Sequence, residues 1–216
     1  MKWKTDVLYI HGGNTFLNDK DYLKYLRTKK VSLGKRVRWN GDNFQSGLGS
    51  RFRLTWPRMP LQDNAHYRDW KVMFENYLFL LKGKYVLVGG SLGGIFLAKY
   101  LSENKLSRKA LSVYLVCPPF DDTMPDDRLA GGFKLKDNLS LIEKNCKNLY
   151  LLFSKDDEVV PVTHAEKYRK KLPRAEIVIY KSKKGHFQIE RFPEIVKMIK
   201  EDLHSGEFLI LLPCIP

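Results

Sequence analysis

The sequence predicts an α/β protein built on a mostly parallel, six-stranded sheet with helices on both faces. Three observations carry that expectation. Apolar runs of four to six residues recur along the chain, and most are separated by helix-length amphipathic segments. Those runs are almost wholly apolar rather than alternating, as strands covered on both faces are. Glycine or proline punctuates the ends of most of them, as in His11-Gly-Gly13 and Pro118-Pro119. At 216 residues the chain suits one domain, expected over 1–204, with an apolar tail over 205–216 whose role the sequence leaves open.

The first strand is expected at 7–10, where VLYI runs into the two glycines of a tight turn. A helix follows over 19–30, with Tyr22, Leu23, Tyr25 and Leu26 at helical spacing. Residues 32–50 are polar, rich in Gly and Asn, and fit no regular pattern. The second strand spans 51–56 and stops before Pro57 and Pro60. The next helix runs over 64–81, with Tyr67, Trp70, Phe74, Tyr77 and Leu78 on one face. Strand three (85–88) leads into a helix at 94–103. Strand four covers 110–117. Residues 121–140 are acidic and irregular, enough for a small cap. Strand five (148–153), a helix at 163–172, strand six (175–180) and a closing helix at 193–203 complete the series of strand–helix units.

Composition bounds function. The net charge of +14 comes from 38 Lys and Arg against 24 Asp and Glu. It is scattered in short clusters on helix faces and loops, which favours solvated lysines over a specific nucleic-acid surface. No apolar run has the ~20-residue length of a membrane span, and the N-terminal residues lack the pattern of a signal peptide. The cysteines, Cys117, Cys146 and Cys214, are odd in number and have no CxxC spacing. That argues against a disulfide framework or a zinc site and for a reducing, cytoplasmic setting.

The stretch VLVGGSLGGI (86–95) places G-x-S-x-G directly after an apolar strand and before a helix. That is the context of a nucleophile elbow, in which a strained turn exposes a serine and tiny neighbours let strand and helix approach. The helix N-terminus offers N–H groups and a positive dipole end to charge developing beside Ser91. A serine hydroxyl needs a base. The order Ser…Asp…His continues with SKDDEVVP (154–161) after the fifth strand and KGHF (184–187) after the sixth. Parallel sheets present functional loops at those ends. His186 is therefore the expected base, and Asp156 and Asp157 both occupy the acid loop. The oxyanion of a tetrahedral intermediate needs N–H donors. The backbone of Leu92 supplies one, and the loop after strand one supplies another, from Gly13 or alternatively Asn14. Trp39, Met59, Phe120, Phe133 and Phe187 are candidates to line a substrate pocket.

Taken together, IHGG (10–13), GGSLG (89–93), DDEVVP (156–161) and GHF (185–187) resemble an α/β-hydrolase. PRMP (57–60), Asn64-Ala65 and Trp70 bring the resemblance closer to the YdeN-like small serine hydrolases, the group that includes retinoblastoma-binding protein 9. It covers residues 6–203. The resemblance implies an α/β-hydrolase fold with a minimal cap and gives the acid role to Asp157, which begins D-E-V-V-P. It departs from the group at Gly90, where a histidine often stands, and over 31–50 and the tail.

The expected activity is that of a serine carboxylesterase acting on small or short-chain esters through an acyl-enzyme, with lactones and thioesters using the same chemistry. No metal or cofactor is called for. The expected partner is a small-molecule ester, for a monomer or small homo-oligomer. The alternative is a protein-binding module on a hydrolase fold with vestigial activity.

Overall fold

The computed structural model describes residues 4–34, 37–125 and 128–208, with side chains given up to 204. Six strands form one sheet: β1 (Thr5–Ile10), β2 (Phe52–Thr55), β3 (Tyr85–Gly90), β4 (Ala110–Val116), β5 (Cys146–Ser154) and β6 (Glu176–Tyr180). Their order across the sheet is β2-β1-β3-β4-β5-β6, and every pairing is parallel. The chain leaves β1 toward one edge for β2 and returns to build outward from β3. The carboxyl ends of β1 and β3 therefore flank the point where the winding reverses, a position where such sheets bind ligands.

Alternation along the strands divides the core in two. Leu8, Ile10, Leu87, Val113, Leu115, Leu151 and Phe153 face one side. They meet α3 (Tyr67–Leu80) through Trp70 and Phe74, α4 (Leu92–Glu103) through Ile95 and Phe96, and α6 (Thr163–Lys171) through Tyr168. Val7, Tyr9, Val86, Val88, Tyr114 and Leu152 face the other side. There α2 (Asp42–Leu48) contributes Phe44 and Leu48, and α7 (Pro193–Phe208) contributes Ile195, Ile199 and Leu203. Both faces are covered, so the near-continuous apolar strands are explained.

Several elements differ from the sequence expectation. Helix α2 lies in the segment that fitted no pattern. Its seven residues hold only Phe44 and Leu48 as buried anchors, one turn apart. Helix α5 (Ser140–Lys144) is one turn long and anchored by Ile142. The irregular segment before it lies flat on the core through Met124, Leu129 and Phe133. Helix α1 (Asp19–Thr28), capped by the Asn18 side chain, buries none of its residues. Its Leu23 and Leu26 remain exposed. Helix α7 passes Leu203 and runs to Phe208. The rest of the apolar tail, 209–216, lies outside the described residues.

Across the second face a buried carboxylate ties α7 to the sheet. Asp202 accepts hydrogen bonds from the Tyr114 hydroxyl at 2.6 Å, the Asn148 amide at 2.7 Å and the Tyr150 hydroxyl at 2.9 Å. The two tyrosines stack with ring centres 4.7 Å apart.

Candidate active site

The turn from β3 into α4 is sterically committed to glycine. A Cβ on Gly89 would stand 2.4 Å from the Gly93 carbonyl oxygen, and one on Gly93 would stand 2.2 Å from that of Ile10. Strand, turn and helix thus touch backbone to backbone. Ser91 sits between them at φ 54°, ψ −119°, in the left-handed region that side chains other than glycine seldom occupy. Its N–H is held by the Val116 carbonyl at 2.8 Å.

The loop after β1 lies against this elbow. A Cβ on Gly12 would fall 3.3 Å from Ser91 Cβ and 3.8 Å from Ser91 Oγ. His11 shapes the loop. Its Nδ1 bonds the Gly12 carbonyl at 2.6 Å and its Nε2 accepts the Met59 N–H at 2.9 Å, which fixes a neutral ring with the proton on Nδ1. Burial keeps that ring's pKa below the usual histidine value. The Asn14 N–H is committed to the Gln62 carbonyl at 2.9 Å. Among the two donors expected from this loop, the Gly13 N–H is the one no described acceptor occupies.

The two neighbouring aspartates have different partners. Asp157 is buried. Its Oδ1 accepts the Val159 and Val160 N–H groups at 3.0 and 2.9 Å, and its two oxygens lie 2.9 and 2.8 Å from His186 Nδ1. Asp156 accepts the N–H groups of Lys183 and Gly185, each at 3.0 Å, together with the Ser154 and Ser182 hydroxyls. The Gly185 N–H is the strongest of these influences, and the four donors hold the Asp156 carboxyl well below the ordinary carboxylate range. One aspartate faces the ring of His186, and the other holds the loop that carries it. That loop is tightly wound, with Lys184, Gly185 and Phe187 all at positive φ.

The far nitrogen of the imidazole, Nε2, lies 3.9 Å from Cys117 Sγ. No hydrogen bond joins His186 to Ser91 among the described residues, although both line the same cavities. Burial disfavours the imidazolium, but the Cys117 sulfur and the Asp157 carboxylate outweigh it, and the His186 pKa is pushed up to about 10.

Ser91 lines more than one cavity, including a recess of about 20 Å³ shared with Gly13 and Leu92. The largest of them has a volume of about 790 Å³, within the range of ordinary small-molecule sites. Asn14, Tyr25, Arg38, Asn40, Trp56 and Gln62 stand along its wall. Lys29 and Asp63 form an ion pair there at 2.8 Å. A chamber of about 90 Å³ beside Ser91 is bounded by Tyr9, Trp39, Asn40, Cys117, His186 and Phe187.

The apolar residues expected in a pocket are thus split. Trp39 and Phe187 reach the small chamber, but Met59 and Phe133 are buried in the core under α3 and α4. Phe120 packs edge-on against Tyr168. Large apolar groups are drawn to the interior, and the main cavity has a mixed lining in which polar residues stand beside Tyr25, Val37, Trp56 and Val159. Arg38, Asn40 and Gln62 sit outside the long periodic elements, so sequence pattern did not mark them. Cys117 had a usable signal in its place at the carboxyl end of β4.

Among curated proteins no sequence matches this chain. Solved structures share its fold. The ydeN gene product of Bacillus subtilis superposes with a TM-score of 0.68 at 18% identity, covering 93% of this chain and 100% of that one. A putative YdeN-like hydrolase from Pectobacterium atrosepticum gives 0.57 at 14% identity, with coverages of 97% and 94%. Est1E from Butyrivibrio proteoclasticus, solved with ferulic acid bound, gives 0.58 at 14%, with coverages of 93% and 88%. These likenesses show an α/β-hydrolase fold. A family model described as serine hydrolase matches residues 42–200, a stretch that holds the elbow, the acid loop and His186. On that match the chain belongs to the serine hydrolase family.

Proposed function

We propose that the protein is a serine carboxylesterase with Ser91 as nucleophile, His186 as base and Asp157 as the residue that orients it. The observation that carries this reading is a pairing of buried Asp157 with half-buried His186, which opens onto the same cavities as a serine held at positive φ. Ser91 Oγ attacks the ester carbonyl carbon while its proton passes to His186 Nε2. Asp157 keeps the Nδ1 proton in place and balances the imidazolium. The oxyanion rests on the N–H groups of Leu92 and Gly13, each worth ~3 kcal/mol. Collapse of the intermediate returns the proton from His186 to the departing alcohol. Water then clears acyl-Ser91 with His186 again as base. Catalytic hydrogen bonds are often long before substrate binds. The imidazole, held at one edge by Asp157, turns from Cys117 toward Ser91 in the productive complex.

The substrate is a small ester. The mixed polar and apolar lining of the main cavity suits a small ester that also carries a polar group, and lactones and thioesters share the intermediate. No metal or cofactor takes part in these steps. No described helix is long and apolar enough to cross a membrane, and the free thiols of Cys117 and Cys146 suit a reducing, cytoplasmic setting.

The test is labelling by a fluorophosphonate probe and turnover of p-nitrophenyl acetate, beside Ser91→Ala. Labelling and turnover that vanish in the variant support the reading. An unlabelled wild-type protein with intact fold refutes it and leaves a binding module on a hydrolase scaffold.

A further inference from the structure

We propose that Cys117 Sγ and His186 Nε2 form an inhibitory site for a soft divalent cation, zinc above all, in the chamber beside Ser91. The inhibitory part rests on the hydrolase reading, but the binding part does not. The two atoms come from loops separated by 69 residues and lie 3.9 Å apart. Zinc takes thiolate sulfur at ~2.3 Å and imidazole nitrogen at ~2.0 Å. Those two bonds span the observed separation at an angle of about 130°, roughly 20° wider than tetrahedral, so a small approach of the two side chains completes the geometry.

The surroundings match what a zinc-bound histidine needs. Such a histidine donates its other N–H to a carboxylate, which fixes the tautomer and leaves the metal-facing nitrogen with its lone pair. His186 has this arrangement, with Asp157 at 2.8 Å from Nδ1. Asn40 also lines the chamber. Asn40 commits its amide nitrogen to the Tyr9 hydroxyl at 2.6 Å, and its carbonyl oxygen is buried with no described hydrogen-bond partner. The chamber, about 90 Å³ in volume, has room for the ion and a completing water. Gly90 keeps it open, since a Cβ there would stand 2.7 Å from the Tyr9 hydroxyl oxygen.

Binding releases to solvent the thiol proton of Cys117 and any proton on His186 Nε2, and the metal then takes the His186 lone pair. That lone pair is the one that accepts the Ser91 proton, so an occupied site has no general base. Zinc acts here as an off-switch, displaced by chelation.

The experiment uses the full chain and the metals alone. Cobalt(II) added to wild-type protein should give a thiolate-to-metal charge-transfer band that saturates near one equivalent and is lost in Cys117→Ser. Zinc-edge X-ray absorption of wild type should show one sulfur and at least one imidazole nitrogen, and this needs no variant to fold. Zinc should slow fluorophosphonate labelling reversibly by EDTA, and Cys117→Ser should need at least tenfold more zinc. Absence of the band, its survival in Cys117→Ser, a shell of oxygen and nitrogen only, or zinc bound through Cys117 with labelling unchanged would each overturn the proposal. A protein that never labels refutes the hydrolase reading instead, while the cobalt and X-ray data still decide the site.

Discussion

Replacing Asp157 by Asn changes one atom and should nearly stop turnover. Oδ1 is anchored by the N–H groups of Val159 and Val160 at 3.0 and 2.9 Å. It must therefore remain an oxygen, so the new amide nitrogen takes the place of Oδ2, 2.8 Å from His186 Nδ1. Oδ1 also lies 2.9 Å from Nδ1, but its lone pairs are taken by the two loop N–H groups, so the NH₂ is the partner left to Nδ1. It donates, which turns Nδ1 into an acceptor and moves the ring proton to Nε2. A protonated Nε2 on a neutral ring cannot take the Ser91 proton. Loss of the correct tautomer at comparable sites costs ~10⁴-fold in kcat, or ~5.5 kcal/mol at ~1.36 kcal/mol per decade. The fold should be little affected, because shape and the two loop hydrogen bonds persist. Steady-state hydrolysis of p-nitrophenyl acetate measures the loss, and thermal melting checks the fold. A folded Asp157→Asn protein within tenfold of wild-type kcat would refute the tautomer argument.

Three further outcomes follow from the same geometry. Asp156→Ala removes the acceptor for Lys183 and Gly185 N–H. It should lower the labelling rate on the order of 10²-fold by misplacing His186, with Asp157 intact, as read by fluorophosphonate kinetics. His186 is raised from 6.5 to about 10, burial being outweighed by Cys117 and Asp157. Its contribution to stability is full below pH 6.5 and fades as pH climbs toward 10, while the basic form needed for catalysis grows in the same direction. Melting temperature and kcat/KM should therefore move oppositely over that range, and Cys117→Ala should shift the rising limb of the rate profile to lower pH. Asp202→Ala strands the Tyr114, Tyr150 and Asn148 donors. Urea unfolding should show a loss of about 3 kcal/mol, with Ser91 labelling of the folded fraction unchanged.

The fold was legible where apolar periodicity was long, as in β3, β4 and the helices beginning at Tyr67 and Leu92. It was not legible at α2 and α5, where one or two buried side chains on a single turn carry the helix. Such short elements are held by tertiary contacts, so local pattern is weak there. The candidate site divides in the same way. Ser91, Asp157 and His186 sit in turns whose glycines and spacing leave a linear trace. The assignment between Asp156 and Asp157 turned on the resemblance rather than on residue type, since adjacent carboxylates look alike until their partners are known. Asn40, Arg38 and Gln62 reach the cavity through loop paths, and the approach of Cys117 to His186 depends on how β4 and β6 are spaced across the sheet.

Gly13, Ser91, Cys117, Asp157 and His186 each follow a different strand, and the five strands are neighbours in one parallel sheet. Their heights are set by strand register, at ~3.3 Å per residue, and hardly at all by the connecting helices. Length changes in α3 or α6 should thus be absorbed on the far sides of the molecule. A single residue added within β5, by contrast, would lift Asp157 a full step away from the ring it holds. Drift in natural relatives should accordingly collect in the connections and spare strand length.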